Sequence, residues 1–509
     1  MSESCDTNLY AAEKIAAHAK RINAGRVTFR DPTGFLFSDT ERDKLLDFLQ
    51  THSPLKYKLQ RLEADGRWKD ASKYYPIPSS LLVIESLRSL DLSSARTFSD
   101  AEFNRAAEAD PHGFQLALRR IFGHVAVAPK QHQLRAWSEY FGTSSHGEAQ
   151  ADVVFLRSTL ELLSIVLSHG VDDQFRPSAL DSAIAAIGAK QDEYVSDAEQ
   201  IAYSLIEGKL LSFLDRNAAA AAFGRATSFD SQKLVYRFYF DTGAYTYFAP
   251  NTDSTASLVD EIQAGIQPLQ VTDPKNALAV AVSVDAHFFR IYAPQLYLFA
   301  QQLPELDFVF LICGDEIEVD EALNDGESYV RHLTRLNQSG TPHNIQYLHA
   351  PVPASVGQHT TFYACARFFA AERLLQCYKR VYLMDADLVA EDNPTSYFDR
   401  IKSISFGTAT NGDLSRLSPW RRNLAGNVAL SGNGALEQIL PDLLEYIARG
   451  LTMERSWMLD QNALAFAVEQ HPEGYTPLDE FRRPFNQPKF RATWEKRHFA
   501  SLKHEFGAR

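Results

Sequence analysis

The sequence predicts a chain of two main parts, in which a large all-α domain precedes an α/β domain with a mainly parallel sheet. Apolar residues recur at three- and four-residue spacing from residue 8 to about 222, which is typical of amphipathic helices. From about residue 274 onward, short apolar runs alternate with helical patterns, which is typical of βαβ units. A length of 509 residues also exceeds what one hydrophobic core usually organises.

The first part, residues 1–225, consists of helical patterns of unequal length. "DVVFLRSTLELLSIVLSHG" and "DAEQIAYSLIEGKLLSFLDRNAAAAAFG" are clear examples, and strand patterns are nearly absent. The breakers "DPTG", "YYPIPSS" and "ADPHG" separate the helices, without a fixed repeat length. No G-x-x-x-x-G-K-[ST], HExxH or GxSxG motif occurs there. We expect this domain to bind a substrate or a partner, or to form a homo-oligomer.

The second part, residues 226–273, is expected to form a β-hairpin and a connector. In "LVYRFYFDTGAYTYF", residues 234–248, aromatic and β-branched residues flank "DTG", a turn-forming sequence. Alternating aromatics are typical of a half-buried ribbon that packs against a core. An aromatic binding face is the alternative interpretation.

The third part, residues 274–509, contains apolar runs that predict buried strands at residues 276–284, 306–313, 344–350 and 381–384. Helical patterns stand between them, "FFRIYAPQLYLFAQQL" after the first run and "TTFYACARFFAAERLLQC" before the last. Strand, helix and strand at this spacing predict right-handed crossovers. Parallel sheets of this kind bind ligands at the carboxyl ends of their strands.

Composition narrows the range of functions. Hydrophobic residues make up 45% and charged residues 23%, as in ordinary globular proteins. The formal net charge of −13 argues against a nucleic-acid or anionic-membrane surface. Only four cysteines occur, without a CxxC pair, and neither a signal-peptide pattern nor a transmembrane segment is found. We therefore expect a cytoplasmic protein.

The last predicted strand runs into two carboxylates in "RVYLMDADLVAEDNP", residues 380–394. In an extended segment, residues two apart point the same way, so Asp385 and Asp387 would converge while Ala386 faces elsewhere. Oxygen ligands favour Mg²⁺ or Mn²⁺, and such a cation would bridge a diphosphate. The alternative is an acidic loop that only caps a strand.

Further motifs accompany this DxD sequence in a fixed order. They are "VSVDAHFFRIY", an arginine in the helix before the DxD strand, "NLAGNVALSGNG" followed by "SWMLDQNALAFAV", and "RHFASLKHEF". With the DxD, they resemble the GT-A (Rossmann-like) fold of glycosyltransferases that use nucleotide diphosphate sugars. Over residues 276–504 the chain looks most like the retaining enzymes of family 8, the glycogenin- and galactosyltransferase-like group.

The resemblance implies where the nucleotide part of the donor would bind. Ser283, Asp285 and Phe289 would hold uracil and ribose, although the family's aromatic residue could equally correspond to Phe288. Ala386 would also line the donor site. Taken alone, an aspartate before a helix such as Asp285 also suits a helix N-cap.

Other matched residues are implied to lie near the diphosphate and the transferred hexose. Arg367, which stands among aromatic residues and needs a buried anionic partner, would lie near the donor. Gly426 and Asn427 would contact the donor sugar, and Asp460 and Gln461 match the family's Asp-Gln pair. A structural ion pair is the alternative for Arg367, and a helix cap is the alternative for the Asp-Gln pair.

The C-terminal motif implies the remaining metal and phosphate ligands. Asp385 and Asp387, together with His498, would bind Mn²⁺ or Mg²⁺, and Asp385 would also contact the donor. Lys503 would meet the diphosphate. The tail departs from the family pattern, so His504 competes with His498 as the third ligand.

By resemblance, we expect a metal-dependent glycosyltransferase that moves a hexose from a nucleotide sugar, with UDP as the expected nucleotide. Retention of anomeric configuration is implied by the family and not by the residues. The acceptor is a protein, a glycan or a small molecule. The competing hypothesis is a glycosyltransferase-like binding protein that has lost turnover.

Overall fold

The computed structural model describes residues 87, 100–109, 111–142, 150–249, 255–269, 273–337, 344–390, 395–432, 436–480 and 485–486. Within these ranges the chain forms a helical half and an α/β half. In the same ranges, no helix combines the length and the apolar character needed to cross a bilayer.

The helical half follows the amphipathic patterns of the sequence. Its α-helices are α1 Asp100–Ala109, α2 Pro111–Ile121, α3 Gln131–Gly142, α4 Ala151–Ser168, α5 Pro177–Gly188, α6 Asp197–Leu211, α7 Arg216–Phe229 and α8 Leu234–Phe238. Helix α6 begins with a capping box between Ser196 and Glu199, and Asp215 caps α7 through the backbone N–H groups of the next turn. Helices α4, α6 and α7 pack together around a core rich in phenylalanine, which continues past residue 225 to Tyr247.

The hairpin predicted for residues 234–248 is wrong. The segment forms the short helix α8 and a 3₁₀ helix, Thr242–Thr246. Lys233 and Tyr239 flank α8 in the left-handed backbone region, and the Asp230 carboxylate accepts a hydrogen bond from the Leu234 N–H at 2.5 Å. Phe238 is fully buried against the helical core, so the aromatic residues pack there instead of forming a ribbon.

The α/β half is built on an eight-stranded sheet with the order β1-β4-β3-β2-β5-β8-β7-β9. Its strands are β1 Gln267–Pro268, β2 Leu278–Asp285, β3 Asp307–Cys313, β4 Ile345–Ala350, β5 Arg380–Met384, β7 Phe406–Thr410, β8 Asn423–Ser431 and β9 Tyr475–Pro477. A separate two-stranded sheet pairs β6 Val389–Ala390 with β10 Phe485–Asn486. The four strands predicted from apolar runs are confirmed as β2, β3, β4 and β5.

The sheet is mixed, which corrects the expectation of a mainly parallel sheet. Strands β4, β3, β2 and β5 are mutually parallel, as the βαβ pattern predicts. Strands β1 and β8 pair antiparallel to their neighbours, and β7 is antiparallel to β8 but parallel to β9. The βαβ pattern predicts only the parallel strands that crossover helices connect. The antiparallel strands β1 and β8 do not belong to such units.

Helices cover both faces of this sheet. They are α9 Ala256–Gly265, α10 Ala286–Gln302, α11 Glu316–Asn337, α12 His359–Cys377, α13 Thr395–Arg400, α14 Leu436–Leu451 and α15 Leu459–Gln470. Alternate residues of β2 enter different cores, since Val280 and Val282 pack on the α10 side while Ala279 and Ala281 pack on the α12 side. The result is a three-layer arrangement, in which helices cover both faces of the sheet around β5.

The two halves share a buried interface. Trp420, which follows β7, is fully buried in the helical core, and its indole N–H donates to the Phe240 carbonyl at 2.9 Å. Arg422 donates to the Ser212 carbonyl at 3.1 Å and lies 3.7 Å from the Phe213 ring centroid. Burial lowers the pKa of Arg422 to about 10. Side chains of the α/β half therefore complete the core of the helical half.

Candidate functional site

Arg367 lies at the centre of the carboxylates that the sequence singles out. It projects from the middle of α12, where its side chain is 2% exposed. Its Nη1 lies 2.8 Å from Asp385 Oδ1, its Nη2 lies 3.7 Å from Asp460 Oδ2, and Nη2 donates to the Ala425 carbonyl at 3.1 Å. Arg367 thus has the anionic partners that its burial requires, and they are the carboxylates of Asp385 and Asp460. These contacts also fit the alternative of a structural ion pair, and a position of Arg367 near the donor stays a prediction.

The guanidinium of Arg367 holds three separate segments together. Asp385 follows β5, Ala425 belongs to β8, and Asp460 stands in the first turn of α15. Because a guanidinium presents several donors in a planar fork, one side chain can fix all three. The Nε atom is buried and has no hydrogen-bond partner among the described residues.

Asp460 is held in a largely buried position. Met458 precedes α15 with a positive φ of 65°, and the Gln461 N–H donates to Asp460 Oδ1 at 2.9 Å. Burial raises the pKa of Asp460; the Arg367 charge opposes this rise and the Asp385 charge adds to it. The Asp460 carboxyl group therefore keeps its proton up to a higher pH than the carboxyl group of an exposed aspartate does.

Gly426 makes room for the first carboxylate of the DxD sequence. A Cβ atom at this position would lie 2.3 Å from Asp385 Oδ2. The register between β7 and β8 jumps here, because Thr408 pairs with Val428 whereas Ala409 pairs with Leu424. Irregular strand pairing of this kind often re-aims backbone next to active sites. Gly426 therefore adjoins Asp385, and the predicted contact of Gly426 with the donor sugar stays a prediction.

The DxD sequence forms a turn, which corrects the assumption of an extended segment. The Leu388 N–H donates to the Asp385 carbonyl at 3.2 Å. Ala386 and Leu388 are buried in the core on the α10 side, while Asp385 and Asp387 are partly exposed. Both aspartates thus remain partly exposed although the backbone is not extended.

The carboxylates at this turn suit a hard divalent cation. Within the described ranges no group of three or more histidine, cysteine, aspartate or glutamate side chains that could hold a metal ion is found, and metal binding by Asp385 and Asp387 stays a prediction. Magnesium is commonly held in this way, by one or two carboxylates together with substrate phosphates. His498, Lys503 and His504 lie outside the described residues.

The C-terminal segment approaches the DxD turn through a pairing that the sequence did not predict. Asn486 pairs with Val389, and Phe485 pairs with Ala390. Val389 lies two positions after Asp387. The last described residues, Phe485 and Asn486, are therefore close to the DxD turn.

The residues expected to bind the nucleotide lie at the end of β2. Ser283 is buried, and its hydroxyl donates to the Ala364 carbonyl at 3.4 Å. Asp285 Oδ1 accepts a hydrogen bond from the Phe288 N–H at 2.5 Å, which is the geometry of an N-cap for α10. The capping interpretation of Asp285 is thus confirmed, and nucleotide binding by Ser283 and Asp285 stays a prediction.

Phe289 and Asn427, which were also predicted to contact the donor, have buried side chains in this structure. Phe289 is 1% exposed, and its ring packs edge-on against Phe310 and Tyr347. Asn427 is buried, and its Oδ1 accepts a hydrogen bond from the Tyr382 hydroxyl at 2.8 Å. Direct contact of either side chain with a donor is not supported, because each is already enclosed by protein. Phe288, the alternative aromatic residue, is only partly buried.

Sequence reasoning missed the polar contacts that tie the site to the helical half. Arg455, in the loop before α15, donates to the Tyr245 hydroxyl at 2.6 Å and lies 3.9 Å from the buried Asp230 carboxylate. Asn462, which is fully buried, donates to the Gly243 carbonyl at 2.7 Å. The sequence signals for these contacts were Arg455 and Asn462, which stand on either side of "WMLDQ". Their partners could not be predicted, because they lie more than 200 residues away in the chain.

Comparison with known proteins gives a limited likeness. No protein-family model matches the chain, and no curated protein matches it. A crystal structure of the galactosyltransferase LgtC in complex with donor and acceptor sugar analogues is similar, with 14% identity and a TM-score of 0.31. An active-site mutant of LgtC is similar with 14% identity and a TM-score of 0.28. Each match covers 45% of this chain and 95% of the LgtC chain.

Proposed function

We propose that this protein is a metal-dependent glycosyltransferase that moves a hexose from a nucleoside diphosphate sugar, with UDP as the expected nucleotide, to an acceptor. The observation that carries the proposal is the buried Arg367, which links the DxD aspartate Asp385 with Asp460 of the Asp-Gln pair. The DxD sequence and four further motifs lead to one family resemblance, and the DxD turn, the "NLAGN" segment and the Asp-Gln pair meet at this guanidinium. A structural ion pair alone would not require this combination of motifs.

The chain's own residues would first orient the donor. Asp385 and Asp387 would hold Mn²⁺ or Mg²⁺, with His498 or His504 as a further ligand from the tail that begins beside the DxD turn. When bound, such a cation stabilises the negative charge that grows on a leaving diphosphate. Arg367 keeps Asp385 fixed, and Gly426 keeps the space around its second oxygen open.

The transferred sugar would lie between the DxD turn and the start of α15. Asp460 and Gln461 would bind hexose hydroxyls, and the raised pKa of Asp460 suits a group that shares a proton in a hydrogen bond. Lys503 would add positive charge near the phosphates. Ser283, Asp285 and Phe288 would form the nucleotide side of the site, with Phe288 in place of the buried Phe289. Retention is the stereochemical outcome that the family resemblance implies.

The test measures donor binding and turnover with the full chain. UDP and a panel of UDP- and GDP-sugars are titrated with and without Mn²⁺, and released nucleoside diphosphate is measured. We expect Mn²⁺-dependent binding of UDP, which Asp387→Asn abolishes while the melting temperature without ligand stays within a degree or so of wild type. Asp181→Asn is the matched control, because Asp181 is an exposed aspartate on α5.

Two outcomes would count against this proposal. If no nucleotide or nucleotide sugar raises the melting temperature, the chain does not bind such donors. If a donor binds equally well without metal and in Asp387→Asn, the carboxylates do not form a metal site. Binding without any transfer or hydrolysis would favour the alternative function, a nucleotide-sugar-binding protein without turnover.

A further inference from the structure

Exposed aromatic side chains gather where the helical half meets the loop before α15. Tyr236 is 51% exposed and Tyr239 is 40% exposed, both at α8, and Trp457 in the loop is 45% exposed. Large aromatic residues are seldom left exposed in groups unless they contact something. With Arg119 and Arg455, they form what we call the aromatic–arginine surface.

Arg455 joins the two segments that carry these rings. Its guanidinium carbon lies 6.0 Å from the Tyr236 ring centroid and 5.0 Å from the Tyr245 ring centroid. Its Nη1 donates to the Tyr245 hydroxyl at 2.6 Å. Trp457 follows two residues later, so its Cα lies within about 7 Å of the Cα of Arg455. Arg455 therefore links the Tyr236 ring of α8 to the loop that carries Trp457.

A second arginine borders the same rings from the helical half. Burial lowers the pKa of Arg119, on α2, while the charge interactions with Asp152, Tyr239 and Tyr236 oppose this decrease. The Nε atom of Arg119 is buried, so Arg455 is the arginine whose contact with an exposed ring is direct. An arginine beside exposed rings gives this surface both stacking and hydrogen-bonding capacity, in a protein whose formal net charge is −13.

The loop that carries Trp457 leads directly into the candidate active site. Met458, next to Trp457, packs against the helical core. Asp460 follows two positions later and lies 3.7 Å from Arg367, which contacts Asp385. Trp457 thus precedes Asp460, the residue expected to lie by the transferred hexose, by three positions in the chain.

We propose that the aromatic–arginine surface binds a saccharide, the acceptor of the transferred sugar, and that the helical half therefore helps to select the acceptor. This inference rests on the proposed function. The apolar C–H faces of a pyranose stack on tyrosine and tryptophan rings, and its hydroxyl groups accept hydrogen bonds from guanidinium N–H groups. A saccharide is favoured over a polypeptide because a single sugar ring can use both capacities at the few residues of α8 and of the loop that leads to Asp460.

The experiment uses the full chain saturated with UDP and Mn²⁺. Binding of maltose, lactose, cellobiose and N,N′-diacetylchitobiose is measured by saturation-transfer NMR and by titration. We expect at least one of these disaccharides to bind, and Trp457→Ala or Tyr236→Ala to weaken that binding roughly tenfold, the effect of losing one good aromatic contact. Ile317→Ala is the matched control, because Ile317 is 71% exposed on α11 and lies outside the surface.

The outcomes separate this inference from the proposed function. The rise in melting temperature with UDP and Mn²⁺, recorded for each variant, reports the donor site independently. If UDP binds but no disaccharide does, or if a disaccharide binds equally well to the Trp457 and Tyr236 variants, the saccharide surface is refuted while the proposed function stands. Selective binding of a random-sequence peptide mixture in place of the sugars would also refute it and assign the surface to a polypeptide. Failure of UDP to bind would refute the proposed function, and with it this role.

Discussion

Gly426→Ala tests whether the geometry around the DxD aspartate matters for binding. The added Cβ would lie 2.3 Å from Asp385 Oδ2 and 2.8 Å from its Cγ, whereas ordinary contacts begin at 3.4 Å. The carboxylate must therefore move by about 1 Å. It cannot do so freely, because its other oxygen lies 2.8 Å from the Arg367 guanidinium.

The cost of this substitution has two parts. Inserting a methyl group into a filled space costs about 1–3 kcal/mol. Weakening the Arg367–Asp385 pair adds little, about 1 kcal/mol or less, because the Asp385 side chain is 36% exposed and water screens the pair. A loss of this size lowers the melting temperature by about 2–4 °C per kcal/mol in a domain of 150–250 residues.

The assay compares Gly426→Ala with Gly412→Ala, in which the new Cβ meets no atom within 4 Å. We expect the Gly426 variant to melt lower and to bind UDP with Mn²⁺ roughly tenfold more weakly, a change of about 1.4 kcal/mol. The Gly412 variant should match wild type in both measurements. Equal melting temperatures and equal UDP affinities in the two variants would refute the reasoning, since they would mean that Asp385 is not positioned as described.

Three further predictions concern the site, the sheet edge and the interface between the halves. Arg367→Lys should cost about 2 kcal/mol in urea unfolding and weaken UDP binding, because one ammonium group cannot replace the planar set of donors; unchanged binding would exclude the proposed role. Burial raises the pKa of Tyr475 to about 12, so its stabilising contribution is complete below pH 10 and is lost as the pH rises through 12. The stability difference between wild type and Tyr475→Phe should therefore shrink between pH 9 and pH 11, and a constant difference would contradict the shift. Gly243→Ala should cost about 2–3 kcal/mol, because the Cβ would lie 2.3 Å from the buried Trp420 ring. Gly224→Ala, with open space at its Cβ, should instead gain up to about 1 kcal/mol.

The parts of the fold that follow from local pattern were predictable from the sequence. Strand β3 is a continuous apolar run that is buried on both faces. A run of this kind next to a helical pattern is typical of a buried strand in a parallel sheet. The hairpin predicted for residues 234–248 was wrong because aromatic residues at alternate positions also suit a short helix followed by a 3₁₀ turn against a core. The antiparallel pairing of β8 with β5 depends on contacts between distant segments, which periodicity does not report.

The candidate site was predictable only in part, for the same reason. The burial of Arg367 among aromatic residues already required an anionic partner, but the choice of Asp385 and Asp460 depends on how α12, β5 and α15 meet. The choice between Phe288 and Phe289 depends on where α10 begins, because a one-residue shift rotates a helical side chain by about 100°. Helix α10 begins at Ala286, which turns Phe289 into the core.

The interface between the halves bears directly on the proposed chemistry, because α15 is held from both ends of its first turn. Asp460 faces Arg367 of the α/β half, whereas Asn462, two residues later, donates to the Gly243 carbonyl at 2.7 Å and to the Thr246 hydroxyl at 3.0 Å. A buried amide that donates to two partners fixes both the rotation of a helix and its position along its axis. A change in either would leave the amide N–H groups buried without hydrogen-bond partners. The position of Asp460 is therefore set jointly by the sheet and by the helical half.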